Sequence, residues 1–379
     1  MHILEFFAGG GMARVGFGRG TVCLLANDID PIKCKAYRRN FGGGDLHKKD
    51  IRLLSPSDLP GQADVAWASS PCQDVSAAGR GVGLSGTRSG LVFAFISLMA
   101  GLAAQGRAPR VIVIENVERL IASRRGHDLA AVVEQLSNAG YRAGALVVDA
   151  EQFLPQSRRR VFILAVRHDV QIPFHLMATT PQQNWHPTGL ERVLSLLSIP
   201  AQERWIWWTL PAPPHRTSVL ADIVDAVPKG VTWDSRSRTK QLLSMMSPLN
   251  SEKVEAARAS GELVVGAMSQ RTRVVNGERI QRIEVRFDGA AGCLLSPKGG
   301  SSCQRLLFVE GRSVRSRLLS PREAARLMGL PDRYKLPARF WDAMRLIGDG
   351  VAVPVVQHLV CHLIVPVLSA STQPIKMAA

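Results

Sequence analysis

The 379-residue chain is short of acidic groups, of paired cysteines and of long apolar runs. Asp and Glu number 31 against 47 Lys and Arg, a formal net charge of +16, and the isoelectric point is near 10.3. A chain this basic is expected to meet a polyanion, and nucleic acid is the first candidate. Its six cysteines stand apart, at Cys23, Cys34, Cys72, Cys293, Cys303 and Cys361. None forms a CxxC pair, so neither a zinc site nor a disulfide framework is expected, and no metal is assigned. A single cysteine is still free to act as a nucleophile. No apolar run approaches the ~18 residues of a membrane span, so no membrane partner is expected. The start, His2-Ile3-Leu4-Glu5-Phe6-Phe7, has no basic flank and carries Glu5 inside its apolar stretch. It reads as a buried first strand, not a leader, and the expected location is the cytoplasm, with the nucleoid. No Gly-Lys-Ser/Thr follows a strand, which excludes an ATP site of P-loop type. No internal repeat is visible.

What is present is a globular composition, 46 % hydrophobic, with room for two domains. Strands are expected at 2–7, 21–26, 63–69, 110–115, 141–148 and 161–166, with a further one ending near Asp50. Helices are expected at about 12–19, 31–40, 88–105 and 126–139. This alternation predicts an α/β fold with a doubly wound, mostly parallel sheet. Val111-Ile112-Val113-Ile114 and Val65-Ala66-Trp67-Ala68 are apolar throughout, as strands covered on both faces are. After His168 prolines punctuate an irregular stretch holding Trp205, Trp207 and Trp208, expected as core. The segment 229–286 is arginine-rich. The expected boundaries are 1–168 for a catalytic and cofactor-binding domain, 169–319 for a smaller irregular domain, and 320–379 for the remainder of that small domain and a C-terminal helix returning to the first. Ser320-Pro321-Arg322-Glu323 is a capping box that restarts helix.

Three successive strand ends carry ligand chemistry. The first runs into Phe7-Ala8-Gly9-Gly10-Gly11, a glycine turn that lets a ligand approach the backbone at the switch point of the sheet. The second ends at Asp28, where a ribose diol is held in such folds. The third ends at Asp50, whose carboxylate is placed to accept from an adenine amino group. Helix caps are the competing reading for both acids. The fourth strand runs into Pro71-Cys72-Gln73, and the five glycines of 79–90 follow as a loop suited to closing over a substrate. The fifth ends in Glu115-Asn116-Val117. Gln156-Ser157-Arg158-Arg159-Arg160 joins the last two strands, and its alternate arginines either point into the pocket or form a solvated face.

Phe-Ala-Gly-x-Gly, Pro-Cys-Gln, Glu-Asn-Val and Gln-x-Arg-x-Arg, in this order, resemble the DNA (cytosine-5)-methyltransferases of bacterial or phage restriction–modification systems. Ala324-Ala325-Arg326-Leu327-Met328-Gly329-Leu330-Pro331 and Ile347-Gly348-Asp349-Gly350-Val351-Ala352-Val353-Pro354 resemble the family's last two blocks. The resemblance covers roughly 1–167 and 318–365. It implies a Rossmann-like fold that binds S-adenosylmethionine, a separate target-recognition domain, and duplex DNA as partner. It also implies a monomer, with a cognate restriction endonuclease acting separately. Cys72 is then the nucleophile, Glu115 bonds the cytosine ring nitrogen 3 and amino group, and Arg160 contacts its carbonyl oxygen, with Arg158 supporting the site. Phe7, Gly9, Gly10, Gly11, Asp28, Ile29, Asp50, Ile51, Pro71 and Leu91 line the cofactor pocket, with Asp349 and Gly350. The chain departs from the family at Met12 (usually glycine), Asp28 (commonly Glu) and Asp349 (usually asparagine). Asp349 is expected to bond the cofactor's ammonium.

The chemistry asks for these groups. Cytosine carbon 5 is a poor nucleophile until a thiolate adds at carbon 6, so Cys72 needs an electropositive setting, which Arg158 and Arg160 would supply. Density then moves to nitrogen 3, where a protonated, buried Glu115 would meet it. In duplex DNA the base must first be rotated out. Candidate DNA contacts are Arg80, Arg271, Arg273, Arg279, Arg282 and Arg286, since arginine reads guanine edges. A tRNA cytosine-5 methyltransferase is the alternative, disfavoured by the ~150 residues between the arginine run and the capping box. An inactive nucleic-acid-binding regulator and a dinucleotide-dependent oxidoreductase fit fewer of the motifs.

Overall fold

The computed structural model describes residues 1–71, 90–275, 277–296 and 303–370. Cys72, Arg80 and the glycines of 79–89 lie outside the described residues. The first sheet has seven strands: β1 (His2–Phe6), β2 (Val22–Asp28), β3 (Leu46–Lys48), β4 (Val65–Ser69), β5 (Val111–Val117), β6 (Tyr141–Asp149) and β7 (Arg159–Arg167). Their order is β3-β2-β1-β4-β5-β7-β6. The first five are parallel neighbours, while β7 lies antiparallel to both β5 and β6. The apolar runs behave as expected: Val65–Ala68 and Val111–Ile114 are buried on both faces. Helices α1 (Met12–Phe17), α2 (Pro31–Phe41), α3 (Leu91–Ala104) and α4 (His127–Asn138) join the strands. Phe95, Met99, Leu129, Val133 and Leu136 of α3 and α4 close one core face over Leu4, Phe6, Ile112 and Ile114.

The chain forms two compact units. One comprises 1–149, 159–213 and 355–379, the other 150–158 and 214–354. Residues 169–213, expected with the irregular middle, thus lie in the first unit, while 320–354, expected to continue the small domain, lie in the second. The reason for the shift is backbone pairing. The short strands β8 (Met177–Ala178) and β9 (Trp207–Trp208) pair with each other, and Trp205 bridges to Ala143 of β6. Trp207 joins the sheet's core cluster, Trp205 packs against it and Trp208 is fully buried, so the tryptophans are core as expected. The same unit holds the last helices. Its stretch from Val355 buries Val356, Leu359, Val360, Leu363, Ile364 and Val367.

That stretch corrects one expectation. By length and composition Phe340–Ala370 is apolar enough to cross a membrane. Asp342, Arg345 and Asp349 charge its first third, and Gln357, His358 and His362 interrupt the rest without adding formal charge. Of its most apolar stretch 67 % is buried inside the protein, the pattern of a core helix.

The second unit is built on a four-stranded antiparallel sheet, β10 (Leu263–Val275), β11 (Glu278–Arg286), β12 (Arg305–Glu310) and β13 (Ser313–Leu318), in the order β11-β10-β12-β13. Helices Arg236–Ser244 and Pro248–Ala259 and the link between them cover one face through Leu242, Met246, Val254 and Ala257, which cluster with Met268, Ile283, Leu307 and Val309. The capping box forms: Ser320 Oγ accepts from Glu323 N, and Ser320 N donates to Glu323 Oε2 at 2.8 Å. Glu323 also holds the fully buried Arg317 at 2.7 Å. Just beyond it the two C-terminal blocks meet, with Val353 N donating to Met328 O at 2.9 Å.

Candidate active site

The glycine turn is tight and strained in the way a ligand-facing turn is. Phe7, Gly9 and Gly11 all have positive φ, of 54°, 57° and 76°. A non-glycine residue there costs of order 1 kcal/mol or more and persists only where its surroundings hold it. Two bonds to the second strand do so: Ala8 N donates to Asn27 O, and Gly9 N to Asp28 Oδ2 at 2.8 Å. A Cβ on Gly11 would stand 2.4 Å from the Phe41 ring, so that position needs glycine for room as well as for φ.

The two acids part company here. Asp28 caps no helix; its neighbour Asp30 caps α2 by accepting from Ile32 N and Lys33 N. Asp28 instead ties the turn to the end of β2, and burial lifts its carboxyl above the ordinary value, opposed by Lys33. Each carboxylate oxygen keeps a second lone pair for a diol. Asp50 does cap the 3-10 turn Ile51–Leu53, and it pairs with Arg52 at 2.6 Å. Ile29 is 61 % exposed beside Asp28, an apolar side chain with no core to fill and a fit for the face of a flat ring. Ile51 is buried in the core, and Gly10 lies between the two strained glycines of the turn.

Beneath the turn lies a carboxyl that the motifs did not single out. Glu5, on β1, is 1 % exposed, and neither oxygen has a hydrogen-bond partner. Burial pushes it up to about 8, against the pull of Arg14.

The ends of β4, β5 and β7 bring the second cluster together. Ser69 pairs with Glu115, and Val117 with Arg160. Asn116 Nδ2 donates to Ser70 Oγ at 2.9 Å, and Ser70 N to Glu115 O at 3.2 Å. These bonds fix the strand end that leads through Pro71, the residue before Cys72. Asn116 and Ser70 were not among the expected site residues; the signal available was an amide directly after the acid at a strand end. Glu115 is 6 % exposed, and Arg160 Nε lies 3.2 Å from its Oε1. A guanidinium at that range favours a carboxylate, so the ion pair opposes the protonated Glu115 expected from burial alone. Leu91 opens α3 just after the residues outside the description.

Arg158 and Arg160 have different surroundings. Arg158 lies in the second unit and is 3 % exposed. Its guanidinium donates to Leu294 O at 2.8 Å, Gly348 O at 3.0 Å and Gly350 O at 2.6 Å. It therefore pins the 348–350 turn that carries Asp349, while Arg160 stands beside Glu115. Arg158 was expected to support the site; it precedes β7 (Arg159–Arg167) and is held by the carbonyls of Leu294, Gly348 and Gly350.

The β10–β11 hairpin gathers four of the candidate DNA contacts, and Arg286 closes its base. Arg271 and Arg279 are exposed and Arg282 half-buried. Arg273 is paired with Glu284, and Arg286 with Glu151 at 2.8 Å and Asp288 at 2.7 Å.

Comparison with known proteins gives one answer. A family model described as C-5 cytosine-specific DNA methylase matches residues 1–364. The type II methyltransferase M.NlaX of Neisseria lactamica is 25 % identical over 372 residues, covering 94 % of each chain. The type II methyltransferase M.HhaI of Haemophilus parahaemolyticus is 24 % identical, over 96 % of this chain and 94 % of that one. Among solved structures, an Entamoeba histolytica methyltransferase, EhMeth, aligns with a TM-score of 0.59 at 14 % identity, over 98 % of this chain and 99 % of its own. The S. pombe Dnmt2 methyltransferase aligns at 0.54 and 17 % identity, over 95 % and 96 %. These likenesses carry the fold.

Proposed function

The chain belongs to the family of C-5 cytosine-specific DNA methylases of restriction–modification type, and on that premise we propose that it methylates a cytosine rotated out of a specific duplex sequence, through a covalent adduct on Cys72. The observation that carries this reading is the Glu115–Arg160 pair, 3.2 Å apart, at the strand ends beside Pro71. A buried acid and a guanidinium side by side match the two polar edges of cytosine.

Addition of the Cys72 thiolate to carbon 6 forms the carbon–sulfur bond and makes carbon 5 nucleophilic. Arg160 holds the carbonyl oxygen and supplies the positive potential that favours thiolate. Glu115 meets ring nitrogen 3 and the amino group. Because Arg160 already pairs with Glu115, the entering base divides that pair between its two edges; the acid takes a proton from solvent as the pair opens and passes it to ring nitrogen 3 when the thiolate adds. Loss of the carbon 5 proton then lets the thiol leave. Arg158 acts as a positioning residue, through the 348–350 turn that its guanidinium holds.

S-adenosylmethionine, when bound, supplies an electrophilic methyl group. The residues of the first turn fit it: a backbone strained at Phe7, Gly9 and Gly11, the Asp28 carboxylate for a ribose diol, and the uncovered Ile29 for the adenine face. Gly10, Asp50, Ile51, Pro71 and Leu91 complete that set, with Asp50 sharing its charge with Arg52. Asp349 and Gly350 are assigned to the ammonium end, and Asp349→Asn is expected to bind the cofactor more weakly at low salt.

The test is methyl transfer from labelled S-adenosylmethionine to duplex DNA and, separately, to tRNA. Duplex DNA is expected to be labelled at carbon 5 of cytosine, with no turnover by Cys72→Ser and a fall of roughly 100-fold or more in kcat for Glu115→Gln. Labelling of tRNA in place of duplex DNA, or full activity in Cys72→Ser, would overturn the reading.

A further inference from the structure

The register of the β10–β11 hairpin sorts its arginines by face. Side chains alternate along a strand. Met268, Ile283 and Val285 point toward the helices that cover the sheet, and Gln270, Gln281 and Arg279 are in step with them. Arg271, Arg273, Arg282, Glu284 and Arg286 take the opposite face. On that face Arg286 is anchored to Glu151 and Asp288, and Arg273 to Glu284. Arg271 and Arg282 stand directly opposite one another, and among the described residues neither has an ion-pair partner.

Like charges facing each other across a strand pair cost up to ~1 kcal/mol. Here they sit on an edge ribbon, since β11 ends the sheet. The neighbouring acids are spent on the other two arginines, so the pair is left for an anion or for an acceptor-rich edge. A two-stranded ribbon fits the major groove of B-DNA, where arginine takes guanine O6 and N7 together. Opposite Cβ atoms lie about 5 Å apart, close to the ~3.4 Å step between stacked base pairs.

We propose that Arg271 and Arg282 read guanines in two adjacent base pairs of the recognition sequence, while Arg273 and Arg286 fix the ribbon's pose through their carboxylates. Arg279, on the other face, adds only phosphate attraction. This rests on duplex DNA being the substrate.

The experiment uses the full chain and a library of duplexes randomised around a central cytosine, read for the bases that accompany 5-methylcytosine. The wild type is expected to require two neighbouring guanines. Arg271→Ala and Arg282→Ala each relax one of them, by roughly 10-fold or more. Arg271→Gln shifts its position toward adenine, a gain that a misfolded protein does not show. Arg279→Ala lowers methylation evenly over all sequences. Unchanged guanine preference in both alanine variants, or relaxation at positions that are not guanine, overturns the assignment while leaving the methyltransferase reading intact. Absence of any methylated duplex with the wild type overturns that reading, and the assignment with it.

Discussion

At the scale of single residues, two arginines two positions apart have separate duties, and their variants should differ in kind. Arg158 is buried with three carbonyls on its guanidinium. Arg158→Ala leaves them unpaired and is expected to cost about 3 kcal/mol in urea unfolding. Arg160→Ala removes a partner of Glu115 at a less enclosed place. It should cost about 1 kcal/mol in the same measurement while lowering methyl transfer by roughly 100-fold or more. Equal loss of stability in both would contradict the division. Glu5 allows a test by pH. Its folded value, about 8, lies above the ordinary 4.5. Its contribution to stability is therefore complete below the unfolded value and is lost as pH rises toward 8. The charges around it are Arg14 from α1, Asp28 from β2 and Asp45 before β3, with Tyr37 and Cys23 close by. Glu5→Gln is expected to flatten the fall in Tm between about pH 5 and 8, and to be the more stable protein at pH 8. A parallel fall in the variant would place the titration elsewhere.

At the scale of elements, the turn from β1 to α1 depends on one glycine. Gly11→Ala combines a strained φ of 76° with a Cβ 2.4 Å from Phe41. It should destabilise the protein by about 2 kcal/mol and weaken cofactor binding; thermal melts with and without S-adenosylmethionine read both. Seven strands were legible because runs such as Val111–Ile114 stay apolar whichever face is covered. Strand direction was less so. Val161–Val166 is equally apolar in either sense, and β7 proves antiparallel. The cue was the connection, because 150–158 is too short for the crossover that a parallel neighbour requires. The site was legible where chemistry sits at strand ends: Asp28, Glu115 and Arg160 occupy them. Ser70, Asn116 and Glu5 were not, because their roles arise from neighbours distant in sequence.

At the scale of the molecule, a charge of +16 describes a protein that meets DNA phosphates before it meets bases. Duplex binding should fall steeply with salt, with a slope of log affinity on log salt of about −0.9 for each phosphate contacted. A slope near zero would mean that this excess is not used on DNA. Arg271 and Arg282 have no ion-pair partner among the described residues, so removing both should shallow the slope by no more than about 2. The segment 169–213 entered the first unit through pairing at Ala143 and Trp205, which no composition count along the chain can register.

The central claim is a sulfur atom that bonds to a pyrimidine ring, and duplex DNA carrying 5-fluorocytosine at the target interrogates it directly. Fluorine at carbon 5 cannot leave as a proton does, so the adduct should persist. With S-adenosylmethionine present, a protein–DNA species that survives denaturing electrophoresis should form, and peptide mapping should locate the link at Cys72. The same species formed by Cys72→Ser, or a link mapped to another residue, would contradict the account.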